Sequence, residues 1–133
     1  MFNLVKIENG RMNVAPPEFY EVKASVEVKI GETLVLESGK LAKCNGTKMP
    51  THIAMRAVGS SDTNREIPVC RIESNQVYDV PLSVAPTSSL VPGAKVTIAT
   101  DGMSVTATTT DGVATIISTN GAKVSGDIIT VRF

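Results

Sequence analysis

At 133 residues the chain fits a single domain able to bury roughly two thirds of its unfolded surface, so folding demands neither a disulfide nor a metal. Its 13 Lys and Arg balance 13 Asp and Glu. With no net field to gather a polyanion or hold an anionic bilayer, neither nucleic acid nor a membrane is an expected partner.

In chain order, the opening segment MFNLVKIENG reaches charged and polar residues early and has no long apolar run, so it does not read as a signal peptide. No stretch approaches the length of a membrane span. The expectation is a protein made in the cytoplasm and kept soluble. Residues 1–20 nevertheless differ from the rest of the chain. Asn9-Gly10 marks a turn, and Pro16-Pro17 fix φ and remove two backbone donors. An extended N-terminal arm is expected over 1–20, with Phe2, Leu4, Phe19 and Tyr20 as anchors for another chain. The alternative is that residues 3–7 simply add an edge strand to the domain.

Residues 21–46 are the most regular part of the chain. Val22, Ala24, Val26, Val28 and Ile30 alternate with Lys23, Ser25, Glu27 and Lys29, the pattern of a half-buried strand. Gly31-Glu32 permits a reversal into a second strand around Leu34, Val35 and Leu36. Ser38-Gly39 then turns the chain into residues 40–44, completing a predicted β-meander. Asn45-Gly46-Thr47 matches a glycosylation acceptor, but turn formation explains it without a secretory signal.

Further strands are predicted over 52–58, 66–72 and 76–82, with a polar loop over 59–64 and a hairpin turn at Glu73-Ser74-Asn75. Pro68 and Pro81 argue for edges or strand ends. The run APTSSLVPG at 85–93 is the best internal boundary, with room for one helical turn at 87–90. Beyond it, strands are predicted over 95–100, 103–109, 113–118 and 127–133. Their separators include Asp101-Gly102, Asp111-Gly112 and Asn120-Gly121, which tolerate the positive φ of tight hairpins. The fold class is therefore all-β: a small β-sandwich or partly open barrel built from hairpins, one domain over 21–133, preceded by the arm. Only 4% of residues are aromatic and none is Trp, so Val, Ile and Leu must build the core.

Residues suited to chemistry are few. His52 is the one histidine, and neither a second His nor a Cys pair at metal-ligand spacing accompanies it. Cys44 and Cys70 sit among apolar residues and read as buried free thiols, although spacing leaves a single disulfide between them open. There is no nucleophile elbow, P-loop, dinucleotide fingerprint or calcium loop, and no carboxylate spacing argues for a glycosidase pair. No catalytic, cofactor-binding or metal residue is assigned, and the expected role is binding or assembly rather than catalysis.

The opening meander carries a resemblance. Gly31-Glu32-Thr33-Leu34-Val35-Leu36, then Ser38-Gly39-Lys40-Leu41, then Ile53-Ala54 after Pro50, resembles the small β-rich decoration, or cement, proteins of tailed-bacteriophage heads. The final residues 121–133, with a Lys-x-x-Gly-Asp-x-x-x-Val pattern, are similar to phage head proteins too. Together these matches cover about a third of the chain. The resemblance implies a non-enzymatic protein on the outside of the virion head, bound to the major capsid protein. It also implies a homo-oligomer, often a trimer on the shell, and an N-terminal segment that joins the lattice by strand addition. Other readings are a tail, baseplate or fibre-attachment module, and a carbohydrate- or ligand-binding β-sandwich. The last is weakened by having only Tyr20 and Tyr78 to stack on a sugar.

Overall fold

The computed structural model describes residues 1–8 and 15–133; the Asn9-Gly10 turn expected from sequence lies outside them. Among the described residues ten strands are formed: β1 (Asn3–Ile7), β2 (Glu18–Glu21), β3 (Thr33–Glu37), β4 (Lys40–Lys43), β5 (His52–Ala54), β6 (Glu66–Arg71), β7 (Gln76–Pro81), β8 (Lys95–Val96), β9 (Ala114–Ser118) and β10 (Ile128–Arg132). They make two antiparallel five-stranded sheets, ordered β1-β7-β10-β9-β8 and β2-β6-β5-β3-β4. Of the two all-β arrangements expected, a small sandwich or a partly open barrel, the chain forms the sandwich.

Two apolar clusters divide the interior. Tyr78, Val80, Leu82, Val96, Ile116, Ile129 and Val131 of the first sheet pack with Phe2, Cys44 and Ile53. The second cluster gathers Leu34, Leu41, Ala54, Ile67 and Val69 with Val22, Val28 and Val58 from the flanking loops. The second sheet thus buries apolar side chains on both faces. It achieves this by curling: its two edge strands approach until Val22 bridges Leu41, with the Lys23 amide donating to the Leu41 carbonyl at 2.9 Å. A single bridge does not make a ladder, and the curl stays open.

The arm expected over 1–20 is corrected in the described residues. β1 pairs with β7 and β2 pairs with β6, each as the edge strand of its sheet. Phe2 is buried against Tyr78 and Phe133, with ring centroids 6.5 and 5.5 Å away. Burial of so large an apolar ring, together with the β1–β7 ladder, offsets the ordering cost of the terminal residues. The alternative of an edge strand over 3–7 describes this end of the chain, and Pro16-Pro17 stand just before β2, where an edge tolerates missing donors.

Four further expectations change. Residues 22–30 do not form a strand: Ser25 adopts φ of 61°, Ala24 and Ile30 are exposed, and Val28 pairs instead with Val58. Strands β6 and β7 are not a hairpin, because β6 lies in one sheet and β7 in the other. Residues 73–75 carry the chain between layers. Pro68 sits on an inner strand, not an edge. Its carbonyl accepts from the Met55 amide at 3.0 Å, so its missing donor faces the same side, where β5 has already ended at Ala54. Pro81 does close its strand. Residues 103–109 contribute a bridge from Val105 to Ile98 rather than a named strand, and the Leu90 amide closes a single turn onto the Thr87 carbonyl.

Candidate functional site

The four residues expected to anchor a partner are divided by the fold. Phe2 belongs to the core. Leu4 is half-buried against the same cluster, and Tyr20 packs against the interior of the curled sheet. Phe19 alone is free, at 59% exposure, because β2 is an edge strand and Phe19 points away from the curl, opposite Pro68.

The polar constellation that sequence did not assemble lies at one end of the curl. His52 on β5 is buried, with Nε2 2.9 Å from Glu18 Oε2 on β2 and Nδ1 2.8 Å from Thr51 Oγ1. Arg71 Nε on β6 donates to Glu18 Oε1 at 2.8 Å. These hydrogen bonds, Arg71 first and His52 second, hold the Glu18 carboxyl down at about 2. With the carboxylate as acceptor, Nε2 carries the proton and Nδ1 faces the hydroxyl. The order carboxylate, imidazole, hydroxyl is that of a nucleophilic triad, but both ring nitrogens are spent inside the fold. The Thr51 hydroxyl also accepts from the Leu36 amide at 3.0 Å. The arrangement is a polar pin across three strands that runs from the buried imidazole out to the exposed Arg71, and the edge strand β2 is what it fastens. Separations of 34 and 53 residues between its members left no local signal for it.

The thiols are unpaired. Cys44 is buried and donates to the Lys48 carbonyl at 3.2 Å. Burial pushes its thiol up to about 11, and burial raises Cys70 as well. Neither is an activated nucleophile. Glu32 is a fully buried carboxylate. Its Oε2 accepts from the Lys29 amide at 2.8 Å. Its Oε1 faces Lys43 Nζ at 3.0 Å as a charge contact without hydrogen-bond geometry.

Two surface hollows are found among the described residues. One, of about 560 Å³, is open and polar, lined by Asp79, Asn120, Gly121, Ala122, Asp127 and Ile128. Within it Asp79 accepts from the Thr130 hydroxyl at 2.7 Å and Asp127 Oδ2 from the Lys123 and Val124 amides. The other, of about 400 Å³, is a mainly apolar groove between the start of β1 and residues Ile30, Gly31, Ile53, Ala54 and Met55. Met1, Ile30 and Met55 stand at its mouth, 43, 54 and 49% exposed. Compared with known proteins, the chain matches no family model and no curated protein.

Proposed function

We propose that the chain is a non-enzymatic decoration protein of a tailed-bacteriophage head, bound to the major capsid protein on the outer face of the assembled shell, as a homo-oligomer such as a trimer. The observation that carries this reading is the β3–β4 hairpin, where the resembling residues lie. Leu34 to Glu37 pair with Lys43 to Lys40 around a tight turn in which Ser38 and Gly39 both take positive φ, 51° and 78°, as a two-residue hairpin requires. Assembly rather than catalysis is supported by the polar pin. The imidazole and hydroxyl best suited to chemistry are committed to holding strands together.

Such a protein acts by mass action. A ligand that binds only the assembled lattice stabilises it by RT ln(1 + [L]/Kd), about 2.7 kcal/mol at a hundredfold excess over Kd. Two hydrogen-bonded sheets suit that task, since strands already ordered lose little conformational entropy on docking. The test is the thermal disruption of expanded shells with and without purified protein. A rise in disruption temperature that saturates with added protein is expected; an unchanged temperature at saturating protein rejects the role.

A second reading, a polyol- or sugar-binding sandwich, is favoured by the open polar hollow around Asp79, Asn120 and Asp127. Calorimetric titration with simple sugars separates it, since saturable heat lost in Asp79→Ala and Asn120→Ala variants would support it over the shell.

A further inference from the structure

Residues 22–30 carry the most regular alternation in the chain, yet between two bridges, Val22 to Leu41 and Val28 to Val58, they join no ladder. Arg65 accounts for the detour. Its carbonyl extends the β2–β6 pairing by accepting from the Val22 amide at 3.0 Å, while its side chain turns back across the loops. Nη2 donates to the Lys23 and Val26 carbonyls at 2.9 and 2.5 Å. Nη1 donates to Gly59 at 2.7 Å and Ser60 at 3.4 Å, and Nε to Val22 at 3.4 Å. Bringing these carbonyls together takes a tight turn, closed by the Val26 amide on the Lys23 carbonyl at 3.3 Å. Ser25 therefore takes φ of 61°, a left-handed value that a serine adopts at a cost.

The path given up is a ladder on β4. That strand is the outer one of the second sheet, and backbone groups along a strand face alternate sides. Leu41 turns its carbonyl outward to the Lys23 amide, at 2.9 Å. Lys43, two residues on, faces the same way, because its β3 partner Leu34 spends its carbonyl on the Thr51 amide at 2.9 Å, away from β4. Continuing the parallel bridge from Val22 to Leu41 by one rung would join the Lys43 N–H to the Lys23 carbonyl and the Ser25 N–H to the Lys43 carbonyl. Ala24, now exposed, would lie beside Lys43. Among the described residues neither the Ser25 nor the Lys43 amide has another acceptor. The rung is forestalled at two points: the Lys23 carbonyl is held by Arg65, and Ser25 is left-handed.

We infer that Arg65 is a strap holding the seam of the curled sheet open, and that withdrawing its guanidinium lets β2 run on along β4 through Ser25, drawing the curl further shut. The loop prevails in the wild type because the strap satisfies carbonyls of both loops at once with charge-assisted bonds, whereas the rung offers only a neutral pair. The alternation at 22–26 belongs to a strand that the folded chain keeps in reserve.

The test is amide hydrogen exchange of the whole chain, read residue by residue by NMR. Loosening a structure speeds exchange, so a slowing is the opposite of what loss of a mere clamp produces. In Arg65→Met, which keeps the side chain's length and removes its donors, the Ser25 and Lys43 amides should gain about tenfold in protection while Val22 stays protected. Adding Ser25→Gly, which restores ease to the left-handed turn, should take most of that gain away at Lys43. Unchanged or faster exchange at Ser25 and Lys43 in folded Arg65→Met protein overturns the inference, as does a gain that persists undiminished with Ser25→Gly. Should Arg65→Met not fold, Ser25→Thr in the wild-type background carries the same readout, since a branched side chain disfavours the left-handed turn. No gain there, or a chain that folds with neither change, makes the loop a requirement of the fold and overturns the strap.

Discussion

Gly112 and Glu18 show how tightly single residues constrain this fold. A Cβ added at Gly112 would lie 2.5 Å from the Lys95 carbonyl oxygen and from the Val96 nitrogen. Both are backbone atoms of β8, and no side chain can swing aside to make room. Gly112→Ala should therefore cost about 1–3 kcal/mol, seen as a lower urea midpoint; an unchanged midpoint would mean that β8 does not back onto this turn. Glu18 and Glu37 are each held at about 2 against an ordinary 4.5, Glu18 mainly by Arg71 and Glu37 mainly by Lys23 and Lys48. A carboxyl with a depressed folded value contributes stability that is complete above its unfolded value near 4.5 and disappears as pH falls toward about 2. The wild-type urea midpoint should fall across that window, and Glu18→Gln and Glu37→Gln should each fall less steeply. Parallel falls for wild type and variants would contradict the pairing.

At the scale of elements, the first strand is the correction with the largest consequence. Because Phe2 fills the core beside Tyr78 and Phe133, Phe2→Ala should cost about 3–5 kcal/mol, and removing residues 1–8 should leave a chain that no longer melts cooperatively. A truncated protein with the wild-type melting profile would restore the free arm. The strands that were legible in sequence share a cause. β3 and β4 are joined by Ser38-Gly39, and β9 and β10 are bounded by Asp111-Gly112 and Asn120-Gly121, so turn chemistry and alternation agree there. Residues 22–30 alternate just as well, yet Ser25 breaks the path with a left-handed φ, which a two-residue period does not register. Likewise the pattern over 66–72 and 76–82 announces two strands but not that they part into different sheets. Periodicity reports which face is buried, not against which layer.

For the whole molecule, the all-β class was legible because many short strands with tight turns and a Val-, Ile- and Leu-rich interior admit few arrangements other than a sandwich or a barrel; the choice between those two rests on sheet order. The curl of the second sheet was not, since it depends on Val22 meeting Leu41 across the sheet's two edges. The polar pin and the groove were hidden for the same reason, as each joins residues brought together only by sheet order. What results is a two-layer body whose one imidazole is committed to joining strands, with an apolar groove at its margin. The most direct measurement of its proposed role is sedimentation of the purified protein with preassembled phage shells before and after expansion. We expect saturable binding to expanded shells at a fixed ratio to capsid subunits. Protein that stays in the supernatant with shells in both states would contradict the decoration role.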